Sequence, residues 1–518
     1  MTAVLRVVLV GYGPVGARFV EELLPEVEAG RVDLVVLGAE AEDAYNRVLL
    51  AEYAVGATTR ARLEVADTAA ARRAGVRIRL AEAAVAVDRV AQRVRTSRGD
   101  EVDYDRLVLA TGARANAPTL DGLPDLRRRR GASADSAPLP LPAGVTALRD
   151  LADAEAVAPV VAGGGRIVVL GAGVLGMEFA LLAAEHGAGV TVVHHGPAPM
   201  ARNLDEAGGR MLSLAARAAG LEMAAHARAE ALEFRDTDAG RVFDGIICAD
   251  GTYLRGDLLV LSCGVGPRTE LALDAGLACA RGVLVDESLR AWNDPHVFAI
   301  GDCAQIADPG LASGSGHVPG APSGLIGPGW RQATAVAAGL RAEAAGHSAG
   351  RGTAVSAHER PTVVMLKATG IDVVSGGDHG AEPWDPDAEV SVWVDAARRA
   401  YLKTVVRRGT LAGFVAVGLP RAGAELTLLY ERRSALPVEP SALLRLDAVD
   451  AGVAPIEDPL GPDATVCWCN GVTAGRIAEA ASEGAVTVDE IGRCTRAGTG
   501  CGGCKGRIAA LLAAAPVP

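Results

Sequence analysis

Four of the nine cysteines stand in two close pairs near the end of the chain. One residue separates Cys467 from Cys469, two residues separate Cys501 from Cys504, and residues 470–500 lie between the pairs. Two such pairs can bring four thiolates to one centre, and thiolates select zinc, copper(I) or an iron–sulfur cluster. Glycines crowd the second pair, where they allow the backbone to fold tightly and to point amide groups at sulfur.

The spacing of the pairs favours an iron–sulfur cluster but leaves zinc open. Structural zinc sites usually combine two C-x-x-C units, whereas the first pair here is C-x-C. A disulfide framework is disfavoured because the sequence shows no secretion signal. Apolar residues at helical spacing between the pairs predict short amphipathic helices.

The stretch from 464 to 514 resembles the 2Fe–2S domain of bacterioferritin-associated ferredoxin. The spacing of the cysteines, the run TGCGGCKG and the helical middle carry the resemblance. That domain recurs in NAD(P)H-dependent nitrite and nitrate reductases and in some amine-oxidising flavoproteins. The resemblance implies a 2Fe–2S cluster held by Cys467, Cys469, Cys501 and Cys504.

Size and charge restrict the remaining possibilities. A chain of 518 residues is too long for one core, so we expect three or four domains. The net charge of −12 argues against nucleic-acid binding. No long apolar run predicts a membrane span, and the N-terminus lacks a signal-peptide layout, so we expect a cytoplasmic protein.

The N-terminal residues carry a dinucleotide-binding fingerprint. The apolar run at 4–10 predicts a buried strand, and Gly11, Gly13 and Gly16 follow it directly, before a predicted helix. The first glycine makes the turn, the second admits the pyrophosphate, and the third lets the helix pack on the strand. A second predicted strand ends at Glu40, where a carboxylate can bind ribose hydroxyls.

The same unit recurs at Gly171, Gly173 and Gly176, which predicts a second nucleotide site. The strand that follows ends at His194 and His195, where NAD-preferring sites often carry an acid. The choice between NADH and NADPH is therefore open.

The order of these segments resembles the flavoproteins with two dinucleotide-binding domains, of the glutathione-reductase and ferredoxin-reductase type. These flavoproteins form the superfamily of pyridine nucleotide-disulfide oxidoreductases. In that superfamily FAD occupies the first dinucleotide-binding fold and NAD(P)H occupies the second. The resemblance implies that the helix opening at 324–338 faces the flavin pyrimidine. The cofactor-binding residues implied by it are Gly11, Gly13, Gly16, Glu40, Thr111, Gly112, Gly171, Gly173, Gly176, Gly301 and Asp302, with Asp302 on the ribityl chain.

The segment Ala44–Arg47 resembles the FAD-contacting segment of NAD(P)H nitrite reductases, which implies that Arg47 faces the cofactor. Related ferredoxin reductases place a lysine near the flavin a few residues later, where this chain has Glu52. No cysteine precedes Cys248, so thiol chemistry beside the flavin is disfavoured. Hydride transfer needs no acid or base from a side chain, and we predict no catalytic residue.

The predicted fold is α/β, with two Rossmann-like dinucleotide-binding domains, a small α+β domain and a small helical 2Fe–2S domain. We expect the third domain to serve in dimerisation, which would make the chain a homo-oligomer, or to cover the flavin. The predicted boundaries are 1–125 with 280–345 for FAD, 145–279 for NAD(P), 350–436 for the α+β domain, 437–463 for a linker and 464–518 for the 2Fe–2S domain.

These parts predict electron flow from NAD(P)H through FAD to the cluster. The resemblance over nearly all of 1–514 implies the electron-transfer subunit of an assimilatory nitrate or nitrite reductase, with the catalytic subunit as partner. Because no second cysteine set follows Cys504, we expect this polypeptide not to reduce nitrite by itself. Two alternatives stay open: an FAD/2Fe–2S subunit of an amine or opine dehydrogenase, and a redox-sensing or iron-handling protein.

The cysteine assignment makes a direct prediction. Cys501→Ser should abolish the visible absorbance of the cluster, because one of its four ligands is lost, while NAD(P)H still reduces the flavin. Absorbance spectroscopy of the reconstituted protein measures both. One-electron transfer to a physiological acceptor that survives in this variant would contradict the proposed path.

Overall fold

The fold was analysed in a computed structural model. Within the described residues no helix is both long enough and apolar enough to cross a bilayer. The structure describes residues 4–124, 140–238, 240–308, 310, 318–347, 363–366, 368–434, 436, 442–447, 461–467, 469–500 and 502–514.

Each glycine fingerprint lies in a strand–helix–strand unit, and runs of consecutive strands separate these units. The strands are β1 (Leu5–Val10), β2 (Val32–Leu37), β3 (Arg77–Arg79), β4 (Ala84–Asp88), β5 (Arg93–Thr96), β6 (Glu101–Asp103), β7 (Arg106–Leu109), β8 (Ala113–Ala115), β9 (Val145–Thr146), β10 (Arg166–Leu170), β11 (Gly189–Val193), β12 (Glu222–Ala224), β13 (Ala229–Thr237), β14 (Gly240–Cys248), β15 (Tyr253–Arg255), β16 (Leu258–Leu261), β17 (Val265–Pro267), β18 (Val283–Val285), β19 (Arg290–Ala291), β20 (Asp294–Ala299), β21 (Ala304–Ile306), β22 (Val363–Leu366), β23 (Val373–Gly377), β24 (Glu389–Asp395), β25 (Ala400–Arg407), β26 (Thr410–Val417), β27 (Thr465–Cys467) and β28 (Val472–Thr473). The helices are α1 (Pro14–Glu28), α2 (Leu50–Ala54), α3 (Thr68–Arg73), α4 (Leu151–Ala162), α5 (Val174–Glu185), α6 (Glu206–Ala218), α7 (Glu270–Asp274), α8 (Ile326–Ala344), α9 (Pro420–Glu431), α10 (Ala442–Arg445), α11 (Ala474–Ser482), α12 (Val488–Thr495) and α13 (Lys505–Ala514).

The first sheet has eight strands in the order β21-β18-β19-β20-β7-β1-β2-β3. Its centre is parallel: β1 pairs with β2 and β7, and β7 pairs with β20. The strands at the centre are continuous apolar runs because helices cover both faces of a parallel sheet. Strand β20 comes late in the chain, so the segment after the second nucleotide fold returns to complete the first sheet.

The second sheet has five strands in the order β12-β11-β10-β16-β9. Strand β10 pairs in parallel with β11 and β16, and an antiparallel sheet of β13, β14 and β15 follows β12 in the chain. Two parallel nucleotide-binding sheets were predicted from the sequence, and the fold confirms them.

The third sheet is antiparallel, in the order β22-β23-β26-β25-β24, and α9 packs on it. In its core the rings of Phe414 and Tyr430 meet edge to face, with centroids 5.7 Å apart. Such aromatic pairs add to the burial of apolar area. The predicted α+β character of this region is confirmed for the described residues.

The last unit is a small helical module, here called the cysteine module (residues 461–514). Its core is formed around Ile477, Ile491 and Ile508, which are at most 1% exposed. Helix α12 begins with a capping box between Thr487 and Glu490, so two of its free backbone N–H groups are satisfied. The predicted helices between the cysteine pairs are therefore present.

Some predicted segments cannot be compared with the structure. Most of the predicted linker 437–463 lies outside the described residues. So do the basic run at 127–130 and much of the Gly/Pro/Ser-rich stretch 306–323, both of which the sequence predicts to be loops. The boundaries of the domains stay predictions.

A buried ion pair joins the second nucleotide-binding unit to the third sheet. Asp205 caps α6 through the backbone N–H of Gly208, and its other carboxylate oxygen accepts from Tyr401 and from Lys403 at 3.3 Å. Lys403 is only 3% exposed and also donates to the carbonyl of His379 at 2.9 Å. A buried ammonium is stable only while such partners surround it.

Removing this carboxylate should be costly. We expect Asp205→Ala to lower the free energy of unfolding by about 3–5 kcal/mol, because it leaves the Lys403 charge buried without its counter-ion. Asp67→Ala is the matched control: Asp67 caps α3 in an exposed position, and its loss should cost about 1 kcal/mol. Denaturant unfolding measures both, and equal losses would contradict the argument.

Both glycine fingerprints make the same tight turn. Gly11 has φ +109°, and a Cβ there would lie 2.2 Å from a carbonyl oxygen of the neighbouring segment; a Cβ on Gly16 would lie 2.2 Å from the Gly11 oxygen. Gly171 and Gly176 repeat these approaches at 2.3 and 2.2 Å. No other residue fits without moving the backbone.

The first turn can be tested without touching any polar group. In Gly16→Ala the new methyl group must push α1 away from β1, so we expect the purified protein to retain about tenfold less flavin. Gly339→Ala in α8, where a Cβ meets nothing within 4 Å, should retain the wild-type amount. The ratio of flavin to protein absorbance measures both, and full retention in Gly16→Ala would refute the assignment of this turn.

Candidate functional site

The first glycine turn leaves an open space at the N-terminus of α1. The nearest atom to a Cβ on Gly13 is Nε of Arg47, at 3.9 Å. Gly13 occupies the N-cap position and offers no side chain to the first N–H groups of the helix. Free N–H groups at a helix N-terminus, beside a guanidinium, suit a pyrophosphate.

Glu40 and Arg47 form one network at the edge of this space. Arg47 is ion-paired with Glu40 and donates to the carbonyl of Arg149 at 3.0 Å, and Tyr45 donates to Glu40 at 2.7 Å. Burial alone would raise the pKa of Glu40. The positive charge of Arg47 and the hydrogen bonds from Arg47 and Tyr45 outweigh burial and hold this pKa below its usual value. Glu40 is thus an anion whose oxygens can accept from ribose hydroxyls.

Thr111, Gly112 and Asp302 lie where the two nucleotide-binding units meet. The hydroxyl of Thr111 donates to the carbonyl of Arg268 at 2.7 Å, and the amide of Arg268 donates to the carbonyl of Gly112 at 2.9 Å. Asp302, in the turn Gly301–Cys303, is paired with Arg149 at 3.2 Å. Arg149 therefore contacts both residues: its guanidinium pairs with Asp302, and its backbone carbonyl accepts a hydrogen bond from Arg47.

The N-terminus of α8 lies against that of α1. The indole N–H of Trp330 donates to the carbonyl of Pro14 at 3.1 Å, and a Cβ on Gly329 would lie 2.7 Å from Val15. The amide of Gly301 donates to Gln332 of the same helix at 2.7 Å. The end of α8 is thereby held beside the first glycine turn, and its place beside the flavin stays a prediction.

A cavity of about 370 Å³ lies between the two nucleotide-binding units. Its wall includes Arg47, Arg149, Glu52 and Glu178, and the last of these follows the second glycine turn. The structure thus places Glu52 on this shared cavity.

The second turn is open at Gly173, where a Cβ would meet nothing within 4 Å. At the end of β11, His194 is 7% exposed, and within the described residues neither of its ring nitrogens has a hydrogen-bond partner. Burial has the largest effect and lowers the pKa of His194, a backbone contact with Gly196 raises it, and the proximity of His195 and His226 lowers it further. This favours a neutral ring, and the preference for NADH or NADPH stays open.

The first and last cysteines of the motif lie together. A hydrogen bond from the Cys504 thiol, backed by the backbone N–H groups of Gly498 and Asn470, lowers the pKa of Cys467 against the opposing effect of burial. The side-chain amide of Asn470 lies 3.7 Å from the Cys467 sulfur and donates to the carbonyl of Arg496 at 2.7 Å. A cradle of N–H groups around thiolates is the environment that an iron–sulfur cluster requires.

Cys469 is placed differently. The backbone of Cys469 contacts the start of α8, since a Cβ on Gly327 would lie 3.0 Å from the Cys469 oxygen. Cys501 lies outside the described residues. Cys467, Cys469 and Cys504 are the described part of the donor set, and thiolates suit a 2Fe–2S cluster in chemistry. Within the described residues no three potential ligands are gathered at one point.

The cysteine module contacts the first nucleotide-binding unit through residues that sequence reasoning missed. Asn46 donates to the carbonyls of Gly500 at 2.8 Å and of Thr499 at 3.3 Å. Arg496 pairs with Glu21 of α1 at 2.8 Å. Asn46 adjoins Arg47, but nothing in the local pattern indicates a partner 454 positions away.

Three family profiles match the chain. Residues 5–323 match the pyridine nucleotide-disulphide oxidoreductase family, residues 363–429 the rubredoxin NAD+ reductase C-terminal domain, and residues 465–514 the BFD-like [2Fe-2S] binding domain. The profiles follow the order of the units described above.

The curated relatives include the nitrite reductase [NAD(P)H] large subunit of Klebsiella oxytoca, 31% identical over 98% of this chain and 48% of the relative. The assimilatory nitrate reductase electron transfer subunit of Bacillus subtilis is 27% identical over 98% of this chain and 59% of the relative. The chain therefore spans about half the length of these proteins.

Solved structures show the same fold. The covalent putidaredoxin reductase–putidaredoxin complex matches 85% of this chain and 95% of its own chain, with a TM-score of 0.66 and 23% identity. A ferredoxin reductase from Rhodopseudomonas palustris matches 86% of this chain and 98% of its own, with a TM-score of 0.64 and 23% identity.

The glycine turns, the paired thiols and the matched profiles lead to one identification. The chain belongs to the pyridine nucleotide-disulphide oxidoreductase family and is an NAD(P)H-dependent oxidoreductase that takes FAD and carries a BFD-like 2Fe–2S domain.

Proposed function

We propose that this protein takes electrons from NAD(P)H on FAD and passes them through its 2Fe–2S cluster to the catalytic subunit of an assimilatory nitrate or nitrite reductase. A nicotinamide gives two electrons as a hydride, a 2Fe–2S cluster accepts one, and a flavin can exchange one or two. The order of the carriers follows from this difference.

The observation that supports the proposal is the contact between the cysteine module and the flavin-binding unit. The cysteine loop (residues 496–500) and Cys469 lie against the N-terminus of α8 and the segment that contains Arg47. A chain that brings the cluster ligands to the expected flavin edge needs no separate carrier between the two.

We assign the chain's own residues to binding and orientation. Gly11, Gly13 and Gly16 admit the FAD pyrophosphate to the N-terminus of α1, and Arg47 adds positive charge there. Glu40 binds the ribose, Thr111 and Gly112 form the floor of the site, and Gly301 and Asp302 bind the ribityl chain. Gly171, Gly173 and Gly176 take the nicotinamide dinucleotide, while Cys467, Cys469, Cys501 and Cys504 hold the cluster.

The pairing of Arg47 with Glu40 fixes both groups before a ligand binds. Arg47 is also stacked on the ring of Tyr45, with 4.8 Å from the guanidinium carbon to the ring centroid. A side chain held by an ion pair, a carbonyl and an aromatic ring loses little freedom on binding. The site is therefore pre-organised for an anionic cofactor.

The partner is inferred from the relatives. One of them is named as the electron transfer subunit of an assimilatory nitrate reductase and another as a nitrite reductase large subunit. We infer that the acceptor carries the nitrate- or nitrite-reducing centre. We place the reaction in the cytoplasm, where NAD(P)H is supplied.

Anaerobic rapid mixing tests the proposal. With NADH or NADPH, the flavin absorbance should bleach first, and the cluster absorbance should then fall as electrons leave one at a time. A reconstituted nitrate or nitrite reductase subunit should restore both spectra when its substrate is added.

Two results would sink the proposal. Bleaching by sarcosine or an opine, without bleaching by either nicotinamide, would assign the chain to amine or opine oxidation. Negligible turnover of NAD(P)H with ferricyanide would favour a sensing or iron-handling role.

A further inference from the structure

Asn46 is a buried residue with two separate hydrogen-bonding tasks. Its side-chain oxygen accepts from the backbone N–H of Val48 at 3.0 Å and caps the short turn Arg47–Leu49. Its side-chain amide donates to the carbonyls of Gly500 and Thr499, in the cysteine loop. With 1% exposure, Asn46 is shielded from water that could replace these bonds.

The surfaces beside Asn46 meet with very little clearance. A Cβ on Gly500 would lie 2.9 Å from Cβ of Cys469 and 3.1 Å from the ring of Trp330. Trp330 cannot easily retreat, because its indole N–H is bonded to the carbonyl of Pro14. A shift of the cysteine loop by the size of a methyl group would therefore open the contact.

Other polar links across this contact are more exposed. The side chains of Arg496 and Glu21 are 41% and 30% exposed, so water and salt weaken their 2.8 Å ion pair. The bond from Asn46 to Gly500 is buried, so leaving it unmade would leave a buried carbonyl oxygen without a donor, whereas the bond to Thr499 is only part-buried. Asn46 thus has more influence on the position of the loop than the ion pair at its edge.

We propose that Asn46 is a positioning residue that sets the cysteine loop against the N-terminus of α8 and so governs the rate at which electrons pass from flavin to cluster. The inference rests on the proposed function. Two electrons enter as one hydride and leave singly, with one proton released to solvent, and no bond is made or broken at the cysteine loop.

Asn46→Asp separates the two tasks of this side chain. The carboxylate keeps an acceptor for Val48, so the turn that carries Arg47 stays capped, but it cannot donate to Gly500 or Thr499. We expect flavin reduction by NAD(P)H at the wild-type rate and about tenfold slower cluster reduction, measured as two absorbance phases after anaerobic mixing. Dithionite, which needs no docked loop, should reduce the cluster as fast as in the wild type.

Asn293→Asp controls for the exchange of an amide for a carboxylate, at a site that is exposed where Asn46 is buried. Asn293 also accepts from a backbone N–H, that of Ala278 at 3.0 Å, and donates to a carbonyl, that of Gly276 at 2.9 Å. It lies in the first nucleotide-binding unit, away from the cysteine module. Both absorbance phases should keep wild-type rates in this variant.

A second pair of variants tests the same contact from the other side. Gly500→Ala should slow cluster reduction in the same way, because its methyl group meets Cys469 and Trp330. Gly506→Ala lies in the same module, where a Cβ meets nothing within 4 Å, and should behave as the wild type. Hydrogen exchange supplies a readout independent of activity: in apo-protein the amides of 496–500 should lose protection in Asn46→Asp but not in Asn293→Asp.

The outcomes separate this inference from the function on which it rests. Wild-type cluster reduction in both Asn46→Asp and Gly500→Ala, each with a full cluster, would overturn the role of Asn46 and leave the proposed function standing. A wild-type protein whose flavin is bleached without any reduction of the cluster would overturn the proposed function itself.

Discussion

The close approach of the cysteine loop to the N-terminus of α8 is the constraint on which the rest of the arrangement depends. Gly327 lies against the backbone of Cys469, and Gly500 lies against the indole of Trp330. The distances at both glycines leave no room for a side chain. The helix end is held in turn by α1 through Trp330 and Gly329. The first glycine turn, the N-terminus of α8 and the cysteine loop thus pack against one another in that order, and each restricts the position of the next.

The charged side chains beside this packed region are paired with one another. Arg47 and Arg149 link the first nucleotide turn to Asp302, which lies far along the chain, and Glu40 keeps Arg47 in place. Each of these side chains is partly buried, so the pairs are screened less than ion pairs in open solvent. The network holds positive charge around the space for a pyrophosphate, and the charge of Arg47 helps to hold the pKa of Glu40 below its usual value.

Much of the fold could be predicted because its signals are local. The glycines at 11 and 16 follow a buried strand within a few residues, and the steric reason for them is the same in any such turn. The α+β domain expected at 350–436 likewise contains an antiparallel sheet in its described residues. The cysteine spacing predicted thiol ligands, although one of the four lies outside the described residues.

What could not be predicted are contacts between distant segments. Asn46 looks like an ordinary turn residue, and Lys403 looks like a surface lysine until β25 buries it beside Asp205. No periodicity or composition specifies such a pair, because the partners meet only after separate units have packed. These contacts, rather than the motifs, set how the nucleotide-binding units and the cysteine module sit on each other.

The carboxylate at 205 also limits how the nicotinamide-binding half can swing. It caps α6 and at the same time anchors two side chains of the third sheet, one of them an ammonium with almost no access to water. A hinge movement that admitted or released a nicotinamide would therefore carry that sheet along as a rigid body, since leaving it behind would strand the ammonium. We therefore expect α6 and the antiparallel sheet to keep their relative positions in any such movement.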